Sequence, residues 1–104
     1  MRANYDAAVM ITENGLPDET DSIGDSYRIG FLHSHLLAIH RALAEGVSVR
    51  AYHAWSFLDS FEWARGYTQP WGLVKVDFKT QERTPKESAL WYAKLIADRS
   101  LPRG

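Results

Sequence analysis

The feature that most constrains the fold of this chain of 104 residues is the order of its secondary-structure signals. A continuous apolar run predicts a first strand at residues 7–13, and a second β-rich segment covers residues 47–55. Between them, a helical pattern extends over residues 26–45. A strand, a long helix and a second strand in this order form a βαβ crossover with parallel strands. The sequence therefore predicts an α/β fold, with a first strand buried on both faces.

The long helix is predicted from a single apolar face. Its apolar residues recur every three or four positions, and a glycine follows at the place where helices commonly end. No two histidines of this segment are three or four residues apart, so we do not expect them to share a metal. The apolar positions are Ile29, Leu32, Leu36, Ile39 and Leu43, the glycine is Gly46, and the histidines are His33, His35 and His40.

For the second half of the chain, the sequence predicts a loop region with short strands at residues 56–83 and then a helix at residues 85–98. Thr84 suits the cap of this helix, Pro85 its first position and Glu87 its third. Two parallel strands need neighbours on both edges and helices on both faces. We therefore expect residues 1–104 to be part of a larger unit.

Composition narrows the classes of function. A net charge of -1 and an isoelectric point near 6.4 provide no basic stripe, so nucleic-acid binding is not expected. No apolar stretch has the length of a membrane span, and the first residues lead into no signal-type apolar core. The absence of cysteine excludes thiolate nucleophiles and favours the cytoplasm. A soluble, globular, cytoplasmic protein is expected.

Chemistry-bearing residues follow both predicted strands. Glu13 ends the first strand and precedes a turn-forming Asn-Gly, and the second loop carries Trp55, Glu62, Trp63 and Trp71. For any single tryptophan, burial in the core is the more common alternative. Parallel strands nevertheless end at the same edge of a sheet, where α/β folds build their sites. Carboxylates suit the hydroxyls of a sugar and indoles suit its C–H faces, so we predict a carbohydrate site.

Several motifs occur in a specific order along most of the chain. They are Ile11-Thr12-Glu13-Asn14-Gly15, the segment WSFLDSFEWARGY at residues 55–67, GLVKVDF at residues 72–78, RTPK at residues 83–86 and Trp91-Tyr92. Together they resemble the motifs of glycoside hydrolase family 1, the group of β-glucosidases and β-galactosidases. The sequence departs from the family pattern at Ser60, Ala51 and Pro70-Trp71, where Asn, Gly and Arg followed by Phe or Tyr are usual.

The resemblance implies a retaining β-glycosidase on a (β/α)8 TIM barrel. This chain would be its C-terminal part, with strand seven ending at Glu13 and strand eight at Trp55. Glu13 would be the nucleophile, Glu62 would bind the 4- and 6-hydroxyls, Trp63 the 3-hydroxyl, and Trp55 would stack on the sugar ring. Trp71 would lie near the 6-hydroxyl. The implied partners are a small β-glycoside and the N-terminal part of the barrel, with no cofactor and no metal.

One catalytic group that the family requires is not in this sequence. Retention needs two carboxyl groups about 5 Å apart, one to attack and one to protonate the leaving oxygen. In the family the second lies in an Asn-Glu-Pro motif, which these 104 residues do not contain. We therefore expect the isolated chain to be inactive. The alternatives are a non-catalytic carbohydrate-binding chain, a half-barrel completed by a partner, and a degenerate remnant.

Overall fold

The computed structural model describes residues 6–18, 20 and 22–102 and contains a parallel βαβ unit followed by a small hairpin and a helix. The first strand, β1, pairs in parallel with β2, and the long helix α1 connects them, which confirms the α/β prediction. The hairpin pairs β3 with β4 in antiparallel fashion. The bounds are β1 Val9–Asn14, α1 Ser26–Ala44, β2 Val49–Ala54, a single 3₁₀ turn at Trp63–Arg65, β3 Val74–Val76, β4 Arg83–Pro85 and α2 Glu87–Asp98.

Helix α1 ends one residue before its predicted end at residue 45. Its last helical residue is Ala44, and Gly46 follows with φ of 92°, in the left-handed region that glycine adopts without steric cost. The Gly46 N–H donates to the Leu43 carbonyl at 3.0 Å, and the Val47 N–H donates to the Ala42 carbonyl at 3.0 Å. These hydrogen bonds satisfy carbonyls that the last turn would otherwise leave unpaired.

Strand β1 is not buried on both faces within this chain. Val9 and Ile11 are half-buried, whereas Met10 is 58% exposed and Glu13 is also exposed. Among the described residues, β2 is the only strand that pairs with β1. A two-stranded sheet with helices of this chain alone cannot cover both faces and both edges, so the apolar run remains partly in solvent.

The last helix begins two residues later than its start signals predict. Thr84 and Pro85 lie in β4, opposite Lys75 and Val74 of β3, and Lys86 takes the cap position with extended backbone. The reason is a long-range pairing, because the hairpin keeps residues 83–85 extended before the helix can begin. A local capping motif cannot anticipate a competing strand partner.

The centre of the chain is more polar than apolar. Of the described apolar side chains, only Leu32, Leu73 and Val74 are buried. Two of the five largest fully buried side chains are cations. The five are Arg28, Lys86, Leu32, Asp25 and Ser88. No helix in the described ranges has the length and apolar character needed to cross a membrane.

Candidate active site

The carboxyl ends of β1 and β2 meet at one edge of the sheet. The Trp55 N–H donates to the Asn14 carbonyl at 2.8 Å, so the parallel pairing continues past the last residue of β2. Gly15 follows at once, and a Cβ atom added there would lie 1.9 Å from the Trp55 carbonyl oxygen. Glycine at this position therefore permits the close approach of the two segments that carry the predicted site residues.

An open cavity of about 670 Å³ lies at this edge of the sheet. All five residues that the sequence suggests for a sugar site line it, although they come from segments up to 58 positions apart. Carboxylates and indoles thus face the same space. The lining residues are Glu13, Asn14, Gly15, Trp55, Ser60, Phe61, Glu62, Trp63 and Trp71.

The two carboxylates of the cavity differ in how they are held. Glu62 is half-buried, and its Oε1 accepts a hydrogen bond from Trp55 Nε1 at 3.2 Å while its Oε2 accepts one from the Ser60 hydroxyl at 3.2 Å. Glu13 is exposed, and no described residue forms a hydrogen bond or ion pair with its side chain. The Glu62 carboxylate is therefore fixed in direction, whereas the Glu13 side chain lines the cavity without such restraint.

Trp63 is held in a tight turn at the mouth of the cavity. Its φ is 46°, a left-handed value that is unusual for a bulky residue, and 89% of it is exposed. The turn closes when the Glu62 N–H donates to the Gly66 carbonyl at 2.7 Å and the Gly66 N–H donates to the Trp63 carbonyl at 3.1 Å. Strained, exposed residues of this kind concentrate at functional sites.

Trp71 lies in a loop that contacts the segments following both strands. Its carbonyl accepts a hydrogen bond from the Ser56 N–H at 3.1 Å, and the neighbouring Pro70 carbonyl accepts one from the Asp18 N–H at 3.0 Å. Pro70, an unusual residue for the resembled family, thus participates in the loop through its carbonyl. The placement of Trp71 at the cavity is compatible with this substitution.

Asn14 has a role that its sequence pattern does not indicate. The Asn-Gly pair predicts a turn, but Asn14 is the last residue of β1. Its Oδ1 accepts a hydrogen bond from the Tyr52 hydroxyl at 2.8 Å, and its Nδ2 donates to His35 Nδ1 at 3.1 Å. Burial, with a smaller effect of Tyr92, raises the pKa of Tyr52 to about 12. Both partners of Asn14 are distant in sequence, so no local signal could have identified them.

The partner of Asp59 is also distant in sequence. The sequence suggests a local salt bridge or turn hydrogen bond for Asp59 and Arg65. Instead, Asp59 Oδ1 accepts hydrogen bonds from Lys86 Nζ at 2.8 Å and from the Gly72 N–H at 2.8 Å. The prediction of a local partner was wrong, because Asp59 is buried beside a lysine that lies 27 residues away in the sequence. Within the described residues, no group of three or more His, Cys, Asp or Glu side chains is placed to hold a metal ion.

Comparison with known proteins relates this geometry to one enzyme family. The model of glycosyl hydrolase family 1 matches residues 1–101. The bifunctional β-D-glucosidase/β-D-fucosidase of Bifidobacterium breve is 45% identical over 101 residues, covering 88% of this chain and 22% of that protein. The 1,4-β-D-glucan glucohydrolase of Thermotoga neapolitana is 41% identical over 98 residues, covering 89% of this chain and 22% of that protein.

Solved structures of the same family have the same local fold. The family 1 β-glucosidase from Thermotoga maritima superposes with a TM-score of 0.84 at 39% identity, covering 92% of this chain and 23% of that chain. These neighbours are TIM barrels, and this chain matches a small part of them. The chain spans about a fifth of the length of the curated relatives it matches. From the family match and these similarities, the chain belongs to glycosyl hydrolase family 1.

Proposed function

We propose that the complete protein is a retaining β-glycosidase, which hydrolyses terminal β-linked sugars such as β-glucosides through a covalent glycosyl-enzyme intermediate. One observation carries this proposal: the suggested nucleophile and the four suggested sugar-binding residues line the same cavity. Relatives named as glucosidases and as a glucan glucohydrolase support it. A non-catalytic carbohydrate-binding chain or a partner-completed half-barrel is not favoured, because these relatives are named as hydrolytic enzymes.

Glu13 is proposed as the nucleophile. Its exposed carboxylate would form a bond to the anomeric carbon while the glycosidic C–O bond breaks and the leaving oxygen takes a proton from an acid. Water would then attack the same carbon and release both the sugar and Glu13. For this step the nucleophile needs no hydrogen-bond partner in the described chain, but its carboxylate must be accessible from the cavity that Glu13 lines.

The acid has to come from outside these 104 residues. Glu62 is a poor substitute, because both of its carboxylate oxygens already accept hydrogen bonds, one from Trp55 and one from Ser60. The isolated chain is therefore proposed to be inactive. Its β1 and β2 would be strands seven and eight of the (β/α)8 barrel, and the remaining strands would supply the acid and the rest of the sugar subsite.

The other cavity residues are proposed to bind the sugar. Glu62 would accept hydrogen bonds from the 4- and 6-hydroxyls, and the Trp63 indole would donate to the 3-hydroxyl. Trp55 would stack on the ring, and Trp71 would lie near the 6-hydroxyl. The fixed direction of the Glu62 carboxylate supports this assignment, because preorganised groups bind without ordering cost.

The proposed substrate is a small-molecule β-glycoside, with no cofactor, no nucleic acid and no membrane partner. We also propose a cytoplasmic location, on the ground that the sequence contains no cysteine. Cell fractionation with an antibody to the complete protein tests the location.

The nucleophile is tested by trapping the covalent intermediate. The complete protein and the isolated chain are each incubated with a 2-deoxy-2-fluoro-β-glucoside inactivator, digested and mapped by mass spectrometry. We expect the label on Glu13 in the complete protein and no label on the isolated chain. A label on a different carboxylate of the active protein would refute the assignment of Glu13, while failure of the complete protein to hydrolyse any β-glycoside would refute the activity.

A further inference from the structure

Two buried ion pairs hold the loop that contains Trp71, and the first acts on its N-terminal side. Asp25 and Arg28 form an ion pair at the start of α1, and each is only 1% exposed. Arg28 Nη2 donates a hydrogen bond to the Pro70 carbonyl at 2.7 Å and lies 3.3 Å from the Leu16 carbonyl. One guanidinium group therefore connects the segment after β1 to the peptide group directly before Trp71.

The second ion pair acts on the C-terminal side of the same residue. Lys86 Nζ lies 2.8 Å from Asp59 Oδ1 and donates to the Gly72 carbonyl at 2.7 Å. Asp59 Oδ1 also accepts the Gly72 N–H at 2.8 Å. Both polar groups of the Gly72 backbone are thus held by this pair. A Cβ at Gly72 would lie 2.3 Å from the Asp59 N–H nitrogen, so the fit is close.

Both pairs are anchored to α2, and the first pair is anchored to α1 as well. The Ser88 N–H donates to Asp25 Oδ1 at 2.8 Å, and the Ser88 hydroxyl donates to Asp25 Oδ2. Lys86 itself is the residue before α2. Both helices therefore fix the loop through buried charge, in a chain where few described apolar side chains are buried.

We propose that the Asp25–Arg28 and Asp59–Lys86 ion pairs are positioning elements of the sugar site, which place the Trp71 indole by fixing the peptide groups on both sides of it. Trp71 lines the cavity, but its structural anchors are backbone groups, namely its own carbonyl and those of Pro70 and Gly72. The direction of its ring therefore depends on the ion pairs. The kinetic consequence of this inference rests on the function proposed above.

Two independent variants of the complete protein test the proposal. Arg28→Lys keeps a positive charge beside Asp25, but a single ammonium cannot reproduce the fork that reaches two loops. The double variant Asp59→Asn with Lys86→Met removes the second pair without leaving an unpaired buried charge. Lys94→Met is the matched control, because Lys94 pairs at 3.3 Å with Asp98 on the exposed surface of α2.

The first measurement reports the position of Trp71 without reference to activity. The protein is labelled with 5-fluorotryptophan, and the Trp71 resonance in the ¹⁹F NMR spectrum is assigned with Trp71→Phe. We expect this resonance to shift or broaden in both ion-pair variants and to remain unchanged in Lys94→Met. An unchanged Trp71 resonance in either folded ion-pair variant overturns the proposal. If one variant does not fold, the other decides the question, and Ser88→Ala provides a milder perturbation of the first pair.

The second measurement separates positioning from general destabilisation. For a β-glucoside, we expect KM to rise on the order of tenfold in the ion-pair variants, with a smaller change for the 6-deoxy glucoside. In the Trp71→Ala background, the same substitutions should have little further effect on KM. Fully additive effects would show that the pairs act elsewhere and would overturn the proposal. A wild-type protein without glycosidase activity would refute the proposed function, while the NMR result would still decide the positioning role.

Discussion

Gly15 lies at a close backbone approach between the two halves of the candidate site. Its backbone lies against the Trp55 carbonyl, so the segment with the proposed nucleophile and the segment with the indoles share one short contact. The proposed chemistry needs an oxygen of Glu13 near a sugar ring that stacks on Trp55. The absence of a side chain at Gly15 therefore influences the distance between the segments that carry Glu13 and Trp55.

A methyl group at Gly15 should destabilise the complete protein. Gly15→Ala places a Cβ 1.9 Å from a backbone oxygen, which can be relieved only by moving the chain, at a cost of about 1–3 kcal/mol. Gly30→Ala is the matched control, since a Cβ at this position in α1 has nothing within 4 Å and should stabilise the helix by about 0.4–1 kcal/mol. Urea denaturation of both variants measures the two effects. Equal stability of the two variants would contradict the contact.

Loss of the Glu13 carboxylate should remove hydrolysis. We expect Glu13→Ala in the complete protein to lower kcat/KM at least about a thousandfold, because the substitution removes the carboxylate that is proposed to attack the anomeric carbon. Azide should restore part of the rate by attacking from the vacated side, with inversion in the azide product. Glu82→Gln, at an exposed carboxylate of the β3–β4 hairpin, is the control and should retain full activity. Activity of Glu13→Ala near the wild-type level would exclude the nucleophile role.

At the scale of elements, local signals predicted much of the fold. The three-and-four spacing placed α1 within one residue of its observed end, and the apolar runs located β1 and β2. The start of α2 was displaced because Thr84 and Pro85 pair with β3, a contact that no capping motif contains. Five cavity residues followed from motifs, but the partners of Asn14 and Asp59 did not. Those hydrogen bonds depend on long-range packing, which periodicity does not report.

Strand β2 should lose stability in alkaline solution through Tyr52. Its folded pKa is about 12, against 10.0 for an ordinary tyrosine, so the folded state favours the neutral phenol. This contribution is fully present below pH 10 and is lost as the pH rises from 10 toward 12. Tyr52→Phe should therefore reduce the loss of stability between these values in the complete protein.

Denaturation by urea at several alkaline pH values, together with ultraviolet difference absorbance of the tyrosines, checks this expectation. Tyr27→Phe is the control, because Tyr27 is 79% exposed. Its substitution should leave the change in the free energy of unfolding with alkaline pH as it is in the wild type. A Tyr52 that titrates like a free tyrosine in the folded protein would contradict the burial of its hydroxyl beside Asn14.

At the scale of the whole molecule, the chain buries little apolar surface by itself. Large apolar side chains remain in solvent, among them Met10 at 58%, Phe57 at 70% and Phe61 at 57%. The two-stranded parallel sheet has unpaired outer edges among the described residues. Exposed apolar surface and open strand edges both favour association with other chains.

The isolated 104 residues should therefore be poorly ordered or associated in solution. We expect strong binding of an apolar dye, concentration-dependent sedimentation and weak protection of β1 and β2 amides from hydrogen exchange. Co-expression with the remaining barrel segment should restore protection and a single unfolding transition. A monomeric isolated chain with cooperative unfolding would show that these elements are self-sufficient.

The polar centre of the chain has a consequence for temperature and salt. Removing charged groups from water becomes less costly as temperature rises, whereas apolar burial gains little, so the two buried ion pairs should hold the Trp71 loop comparatively well in hot solution. Buried pairs are also screened weakly by salt. The contribution of the Trp71 loop to binding of the proposed substrate by the complete protein should therefore change little with ionic strength and on warming, until the whole fold melts. Measuring KM across both ranges would show whether the sugar site is as insensitive to its surroundings as its buried charges imply.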